Sequence, residues 1–293
     1  HSILAVTFTK KAATEMKERA VLLEPTSEQS VIRTFHSFGS WFLRRYASEV
    51  GLESSFTVFD DDDMVSLISS AMPALTKKQA GVAAHGISLA KDYFLGPEDD
   101  LSMIDASGDL NEIYAAYQKK LLINGNVDFG DLIMLPVLMM EKNPDLRSYI
   151  QNQFKVIMVD EYQDSNVAQF RFLKNLVGEH TYLCVVGDDD QSIYKFRGAD
   201  INNILDFQKE FDNTKIIRLV KNYRSTSQIL KCADDVVKNN KSRLGKTLEA
   251  VRGDGKKPVL AFVPSGDDEA TFCGELVSQS NKKGVPYSDW AIL

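Results

Sequence analysis

The feature that most constrains this chain is the segment Lys155–Asp164, KVIMVDEYQD, in which an apolar run ends directly in acidic residues. The run Val156–Val159 precedes Asp160 and Glu161 without a spacer. Such a run is typical of a parallel-sheet strand that is buried on both faces. Open α/β sheets bind ligands at the carboxyl ends of their strands, so we expect the two acids at the edge of a site.

A second segment has the same design. The apolar run Tyr182–Val186 ends in the polar segment Gly187–Gln191, GDDDQ. Two buried strands that carry acids to one edge of a sheet predict a site for a metal ion and phosphate. Cys184 lies inside the second run, and we interpret it as a small core residue rather than a reactive thiol.

The composition is that of a soluble globular protein with a real core. The 293 residues are 44% hydrophobic and 26% charged, with a net charge of −7. The overall charge therefore does not indicate a nucleic-acid-binding protein, and any DNA contact would need a local basic groove. The three cysteines are too scattered for a disulfide framework. With no signal peptide and no apolar run long enough to span a bilayer, we expect a cytoplasmic protein without a membrane role.

Both ends of the chain fall inside apolar runs. Ile3–Val6 predicts a strand almost at the first residue, and Trp290–Leu293 predicts another at the last. A natural domain rarely begins and ends in the middle of a strand. We expect this chain to be a piece of a longer protein.

Strands alternate with helices through most of the sequence. Thr9, the acid cluster Asp60–Asp63 and Asn143 are each predicted to cap a helix, and another helix is expected to restart at Val127–Phe129. Between Phe59 and Asn126 the pattern changes to short amphipathic pieces punctuated by glycine. This predicts a small helical subdomain inserted into an α/β domain.

The last quarter of the chain predicts a second α/β unit. Strands are expected at Ile216–Val220, at Pro258–Val263 and from Trp290 onward. Ser225 is expected to cap one helix, and Asp267–Ser280 is expected to form another.

Six sequence segments together resemble one family. They are TFTKKAATEMKERA, TFHSFG, DFGDLI, VDEYQDSN, VGDDDQSIYKFRGAD and NYRSTSQIL, in this order. Their order and spacing are similar to those of the UvrD/Rep/PcrA-like superfamily 1 ATP-dependent DNA helicases. The resemblance implies an α/β fold: a RecA-like, P-loop NTPase-type parallel sheet with an inserted helical subdomain and the start of a second RecA-like domain. The implied boundaries are residues 1–58 and 127–212 for the first motor domain, 59–126 for the insertion and 213–293 for the partial second motor domain.

The resemblance implies ATP and Mg²⁺ as cofactors. Asp160 would hold Mg²⁺, directly or through water, and Glu161 would orient and deprotonate the attacking water; both belong to the metal and catalytic set. Gln191 resembles the glutamine that senses the γ-phosphate, and Asp188 would order its loop. Taken alone, Asp160 and Glu161 could also be two solvated acids at a strand end.

A tyrosine and an arginine complete the implied nucleotide site. Tyr223 would stack on adenine, and Arg224 would reach the γ-phosphate with its forked donors. Taken alone, the NYRS segment is a strand end followed by a helix cap.

The resemblance also implies contacts with single-stranded DNA and with junctions between single- and double-stranded DNA. The implied DNA-binding residues are Phe8, Thr9, Thr34, Phe35, His36, Tyr194, Phe196 and Arg197. Aromatic rings stack on unpaired bases without sequence preference, and hydroxyls and cations hold phosphates. Without zinc-spaced partners, His36 is not expected to bind a metal.

The chain departs from the family pattern at three points. The family usually has tryptophan at the position of Phe196, which predicts a weaker stacking platform. It often has alanine at the position of Asp189, and the effect of the extra charge near phosphates is open. No G-x-x-x-x-G-K-[ST] sequence occurs in the chain. We therefore expect this polypeptide alone to hydrolyse ATP barely or not at all; a typical DNA-stimulated ATPase rate would contradict this.

The function implied by the resemblance is that of an ATP-dependent 3′–5′ DNA helicase and translocase in DNA repair or replication restart. One alternative is a non-catalytic, helicase-like fragment that binds single-stranded DNA, which would show salt-dependent binding without turnover. A less favoured alternative is a metal-dependent nuclease that uses Asp160, Glu161 and Asp188. It predicts DNA cleavage with Mg²⁺ and without ATP.

Overall fold

The computed structural model describes residues 2–195, 198–240 and 243–293. The strands in these residues are β1 (Ile3–Thr7), β2 (Val31–Thr34), β3 (Val58–Phe59), β4 (Val127–Asp128), β5 (Val156–Val159), β6 (Tyr182–Val185), β7 (Lys221–Asn222) and β8 (Glu249–Ala250). The helices are α1 (Lys10–Leu23), α2 (Phe35–Arg45), α3 (Asp61–Ala71), α4 (Lys77–Asp92), α5 (Leu110–Ile123), α6 (Asp131–Lys142), α7 (Pro144–Gln153), α8 (Val167–Leu176), α9 (Asn202–Leu205), α10 (Phe207–Glu210), α11 (Ser227–Val237) and α12 (Gly266–Lys282). None of the helices in the described part of the chain is long and apolar enough to cross a membrane.

A four-stranded parallel sheet forms the centre of the first compact unit, residues 1–216. Its strand order is β2-β1-β5-β6, and Val6 of β1 is in register with Val159 of β5. Helix α8 connects β5 to β6, which gives the strand–helix–strand unit that the apolar runs predict. The prediction of an α/β fold with a parallel sheet is confirmed.

The strand β5 is buried on only one face. Ile157 and Val159 are fully buried, whereas Met158, between them, is 41% exposed. The prediction that this run is buried on both faces is therefore wrong. Side chains alternate between the faces of a strand, so an apolar run does not reveal that one face of its sheet is incompletely covered.

The segment between β3 and β4 has a core of its own. Buried residues of α3, α4 and α5, among them Ile68, Ile87 and Tyr117, form a cluster separate from the one around the sheet. The chain leaves for this segment at β3 and returns at β4, and these two strands pair in parallel, with Val58 opposite Val127. Adjacent exit and return points are what an inserted subdomain requires, and the boundaries expected for it, residues 59–126, stay a prediction.

A buried ionic cluster joins the insertion to the sheet domain. The ammonium of Lys91, in α4, lies 2.6 Å from Oδ2 of Asp128 and 2.8 Å from Oδ1 of Asp131. The hydroxyl of Tyr117 also donates to Asp128, at 2.8 Å. Burial alone would lower the pKa of Lys91, but the two carboxylates outweigh it and raise that pKa above its ordinary value. Gly130 has no side chain to clash with Lys91, since a Cβ there would lie 2.5 Å from its Cδ.

This cluster explains why the helix expected at Val127–Phe129 begins later. Asp128 Oδ1 accepts a hydrogen bond from the backbone N–H of Asp131 at 2.9 Å, and Asp131 Oδ2 accepts one from that of Asp128 at 3.3 Å. This reciprocal bonding stops the strand at Asp128 and starts α6 at Asp131. The three helix caps predicted at Thr9, in the cluster Asp60–Asp63 and at Asn143 are confirmed, and Asp60 is the cap within the cluster.

The second compact unit, residues 217–293, contains fewer strands than its sequence predicts. Ile216–Val220 does not form a strand, and β7 lies just after it. Residues 258–263 and 290–293 are described and form no strand either. Helix α11 begins after Thr226 rather than at a cap formed by Ser225, whereas α12 agrees with the helix expected at Asp267–Ser280. Strand propensity is expressed only where a neighbouring strand takes up the backbone hydrogen bonds, and residues 217–240 and 243–293 form one short ladder.

Candidate nucleotide and nucleic-acid site

The carboxyl ends of three parallel strands meet at one edge of the sheet. The backbone N–H of Asp160 donates to the carbonyl of Val6 at 2.9 Å, which ties the end of β5 to β1. The N–H of Val186 donates to Val159 at 2.8 Å, and this ties the end of β6 to β5. The segments that follow β1, β5 and β6 therefore start side by side, as the two apolar runs predict.

Asp160 and Glu161 occupy this edge in different environments. Asp160 is half-buried, and its pKa is raised by burial and, to a lesser extent, by the charge of Glu161. Glu161 is exposed and has a left-handed backbone, with φ 54° and ψ 38°. For a residue with a Cβ this conformation costs about 1–2 kcal/mol. Oε2 of Glu161 accepts a hydrogen bond from Nε2 of Gln163 at 2.8 Å.

Asp164 is a third acid of the same segment that sequence reasoning did not single out. Burial and then the charge of Glu161 raise its pKa to about 6. Its Oδ1 is buried and has no hydrogen-bond partner in the described part of the chain. Perturbed acids cluster at functional sites, and the signal in the sequence was the third carboxylate of DEYQD.

The GDDDQ segment forms a tight turn at the end of β6. Asp188 caps the turn, because Oδ1 accepts a hydrogen bond from the N–H of Asp190 at 3.0 Å and Oδ2 accepts one from Nε2 of Gln191 at 2.7 Å. Asp189, the residue that departs from the family pattern, is only 7% exposed and lies inside the turn.

Oxygen ligands for a cation are present at this edge. Among residues 2–195, 198–240 and 243–293, the one group of three acids whose oxygens lie within 4.8 Å of one another is Asp188, Asp189 and Asp190. Asp160 and Glu161 are not part of such a group. A Mg²⁺ ion there would need water or phosphate ligands besides Asp160, which is how proteins usually bind this ion.

Two helix N-termini follow the neighbouring strands β1 and β2. Thr9 caps α1 by accepting a hydrogen bond from Ala12 N at 3.1 Å, and Thr34 caps α2 by accepting one from Ser37 N at 3.1 Å. The strands are in parallel register, with Thr7 opposite Thr34. Helix N-termini attract anions, so the two caps suit phosphate groups.

Aromatic rings accompany these two caps. Phe8, which is half-buried, packs edge-on against Phe35, with ring centroids 6.1 Å apart. Phe35 itself is 2% exposed, so its ring faces the core rather than solution. Its assignment as a DNA contact stays a prediction.

His36 contacts an aromatic residue that the sequence reasoning missed. Its ring lies 5.9 Å from that of Phe129 at an angle of 72°, and Phe129 is 54% exposed. Burial lowers the pKa of His36 to about 4, so the ring is neutral at pH 7. The available signal was a phenylalanine within DFGDLI, one of the six segments that resemble the family, although Phe129 is not among the implied DNA-binding residues.

The remaining implied DNA contacts follow the GDDDQ turn. Tyr194 is 38% exposed. Phe196 and Arg197 lie outside the described residues.

In the second unit, Asn222 orders the segment that carries Tyr223 and Arg224. Its Oδ1 accepts hydrogen bonds from the backbone N–H groups of Arg224 at 3.0 Å and Ser225 at 2.8 Å. Tyr223 is 69% exposed, and Arg224 is exposed as well. Both side chains are therefore accessible from solution.

Comparisons with known proteins agree on one family. The family model described as the UvrD/REP helicase N-terminal domain matches residues 1–212, and the UvrD-like helicase C-terminal domain matches residues 217–293. The ATP-dependent DNA helicase PcrA of Bacillus subtilis (strain 168) is 42% identical over 300 aligned residues. The proteins of the same name from Staphylococcus aureus (strain Mu50) and Staphylococcus epidermidis (strain RP62A) are 39% and 38% identical.

These alignments cover 100% of this chain and 41% of each relative, so the chain spans less than half the length of the curated relatives it matches. Because the two family models together cover nearly all of its residues, the chain belongs to the UvrD/REP helicase family.

Proposed function

We propose that this chain is the part of an ATP-dependent DNA helicase that activates water for ATP hydrolysis and carries the track for single-stranded DNA. One observation carries the proposal. The acids Asp160 and Glu161 and the helix caps Thr9 and Thr34 follow adjacent parallel strands of one sheet. A displacement of the acids during ATP hydrolysis can therefore reach the DNA-facing segments through the adjacent strands that carry both.

In the proposed reaction, Asp160 helps to hold Mg²⁺ and Glu161 takes the proton of the attacking water. Bound Mg²⁺ would neutralise charge on the phosphates. Burial and, to a lesser extent, the charge of Glu161 raise the pKa of Asp160, and a bound cation would favour its ionised form, which fits this assignment. Glu161 is exposed, so a water molecule can reach it.

By family resemblance, Gln191 is proposed to sense the γ-phosphate, Tyr223 to stack on adenine and Arg224 to reach phosphate. An amide has two N–H groups, so Gln191 can bond Asp188 with one and a γ-phosphate oxygen with the other. The exposed ring of Tyr223 is available for adenine, and the guanidinium of Arg224 for phosphate.

In the proposed DNA track, the helix caps Thr9 and Thr34 bind phosphates while aromatic rings stack on bases. Each cap hydroxyl already accepts a backbone hydrogen bond and can still donate its own proton to a phosphate oxygen. Phe8 and Phe129 offer partly accessible rings, and Phe35 and His36 support them by edge-on packing. Tyr194, Phe196 and Arg197 extend the track by family resemblance.

The direction of movement, 3′ to 5′, and a role in DNA repair or replication restart are proposed from the resemblance to the family. So are the junctions between single- and double-stranded DNA as partners, and a cytoplasmic location.

The test uses a polypeptide in which this chain follows a segment with the sequence G-x-x-x-x-G-K-[ST]. We expect an ATPase that single-stranded DNA stimulates, and we expect Glu161→Gln to lower kcat about 100-fold or more, the usual contribution of a general base, while DNA binding persists. Unchanged turnover in Glu161→Gln would refute the role of this acid. Cleavage of DNA with Mg²⁺ and no ATP would favour the nuclease instead.

A second candidate concerns the chain as it stands. Its sequence contains no G-x-x-x-x-G-K-[ST], which favours salt-dependent binding of single-stranded DNA without turnover. Measuring ATPase activity and oligonucleotide binding on this same polypeptide separates the two candidates.

A further inference from the structure

A chain of hydrogen bonds runs beneath the proposed nucleotide site from Glu161 to Gln191. Gln163 donates from Nε2 to Oε2 of Glu161 at 2.8 Å. Its Oε1 accepts from the backbone N–H of Asp188 at 2.9 Å. Asp188 in turn accepts, at Oδ2, from Nε2 of Gln191 at 2.7 Å. One buried amide thus connects the end of β5 to the turn that follows β6.

The orientation of this amide is fixed by the chemistry of its partners. The backbone N–H of Asp188 can only donate, so the oxygen of Gln163 must face it. The nitrogen of Gln163 then faces the carboxylate of Glu161, which can only accept when ionised. Exchanging the two atoms would set two donors against each other at Asp188 and two acceptors against each other at Glu161, so a single arrangement satisfies both ends.

The surroundings hold Gln163 in this place. Its side chain is 1% exposed, and its backbone carbonyl accepts a hydrogen bond from Ser192 Oγ at 3.2 Å. Gly187 leaves room for it, because a Cβ at Gly187 would lie 2.9 Å from Oε1 of Gln163. A buried polar side chain with a partner at each end is rigid, and it transmits small displacements from one end to the other.

We propose that Gln163 is a positioning residue that couples Glu161 to Gln191, an inference that rests on the function proposed above. By holding one carboxylate oxygen of Glu161, it leaves the other directed towards the attacking water. By holding the N–H of Asp188, it links that carboxylate to the turn on which Gln191 meets the γ-phosphate. A change at Gln191 then alters the position of Glu161 without any movement of the strands.

Only an amide serves both ends. A carboxylate at position 163 would still accept from Asp188 but would face Glu161 with a like charge. A thioether or aliphatic side chain of similar size would fill the space but offer neither the oxygen that accepts from Asp188 nor the N–H that donates to Glu161. Gln163→Glu therefore breaks only the half of the link at Glu161, whereas Gln163→Met breaks both halves.

The first experiment uses this chain, labelled with [¹⁵N]glutamine, and follows side-chain amide signals by NMR. We expect Gln163→Met and Gln163→Glu each to shift the Gln191 side-chain signals, and Glu161→Ala to shift those of Gln163. The matched control is Gln151→Glu, which removes hydrogen bonds to the carbonyls of Asn175 and Val177 elsewhere in the unit. It should leave the Gln191 signals in place. Gln191 signals that stay unchanged in both Gln163 variants would overturn the inference.

The second experiment measures DNA-stimulated ATPase activity in the polypeptide that also carries the G-x-x-x-x-G-K-[ST] segment. For Gln163→Met we expect kcat to fall about 10- to 100-fold, the usual loss when a supporting hydrogen bond to a catalytic group is removed, with KM for ATP little changed. In Gln163→Glu we expect the acidic limb of the kcat profile to move to higher pH. A role confined to folding would lower the active fraction equally at all pH values, as in Gln151→Glu.

The outcomes separate this inference from the proposed function. If the parent polypeptide shows no DNA-stimulated ATPase, the proposed function fails, whatever the NMR signals do. If the parent is active and both folded Gln163 variants match it in kcat and in DNA stimulation, the coupling role fails alone. If Gln163→Met does not fold, Gln163→Glu replaces it, because this variant keeps the bond from Asp188. Its pH profile then decides whether the coupling role holds.

Discussion

The ammonium of Lys91 lies 2.6 Å from Oδ2 of Asp128, with both side chains 1% exposed, and this ion pair joins the helical insertion to the sheet domain. Asp131 shares the ammonium, so the buried cluster holds two acids and one base. Removing one partner of a buried ion pair leaves charge without compensation. The cluster therefore sets how firmly the insertion is attached.

We expect Lys91→Met to lower the free energy of unfolding by about 3–5 kcal/mol, as for other buried pairs that lose one partner. The control is Arg19→Met, which removes the exposed ion pair with Glu15 and should cost less than about 1 kcal/mol. Urea unfolding, followed by circular dichroism, measures both. Equal losses in the two variants would mean that the buried cluster contributes no more than a surface pair.

Asp92 is expected to make stability depend on pH. Burial raises its pKa from 3.8 to about 7, so the folded state favours the neutral acid. Its contribution to stability is fully present below pH 3.8 and is lost as pH rises through 7. Asp92→Asn keeps an oxygen for the hydrogen bond from Asn166 Nδ2 but cannot ionise.

The wild type should therefore lose stability relative to Asp92→Asn between pH 5 and pH 8. The full shift is worth about 4 kcal/mol at about 1.36 kcal/mol per pKa unit; because Asp92 is not fully buried, we expect a relative loss of about 1–3 kcal/mol. Urea midpoints of both proteins at the two pH values give the difference, and contributions from other groups cancel. Parallel behaviour of the two proteins would contradict the assignment.

Phe129→Ala is expected to weaken binding of single-stranded DNA. A base stacked on an aromatic side chain contributes about 1–3 kcal/mol, which corresponds to a loss of about 5- to 150-fold in affinity. Tyr149→Ala is the control, because Tyr149 is 56% exposed and Phe129 is 54% exposed, but Tyr149 lies on α7. Fluorescence anisotropy with a labelled oligothymidine at fixed salt compares them. If both variants bind as tightly as the wild type, Phe129 does not stack on DNA.

Two glycines in helices should respond oppositely to alanine. A Cβ at Gly39, in α2, would lie 1.9 Å from the backbone oxygen of Leu132 in α6, so Gly39→Ala must push the two helices apart and destabilise the fold. Gly81, in α4, has nothing within 4 Å of that position. There, alanine should stabilise the chain by about 0.5–1 kcal/mol, because it is the better helix former. Thermal unfolding gives both signs, and destabilisation at Gly81 would contradict the reasoning.

The sheet and its functional edge could be predicted from the sequence because their signals are local. The signal for each element lies within about ten residues. These signals are the apolar runs before Asp160 and Gly187 and the cap residues Thr9 and Asn143. Parallel pairing of the runs then follows from the helix between them. Asp160 and Glu161 were thus identifiable without coordinates, whereas the buried Oδ1 of Asp164 was not.

Other features depend on contacts that are distant in sequence. Lys91 is an ordinary charged residue in α4 until Asp128 and Asp131, 37 and 40 positions later, enclose it. The packing of Phe129 on His36 joins segments about 90 residues apart. Periodicity within one segment contains no information about such pairs, and the same limit explains the strands expected in the second unit that did not form.

The left-handed backbone at Glu161 has a consequence for any selection based on stability alone. Glycine at this position would adopt the same conformation without the steric penalty of about 1–2 kcal/mol, and asparagine would adopt it more readily than glutamate. Folding thus favours residues that cannot abstract a proton from water. A library screened only for resistance to heat or protease should accumulate Gly or Asn here, and its most stable members would lack the proposed general base.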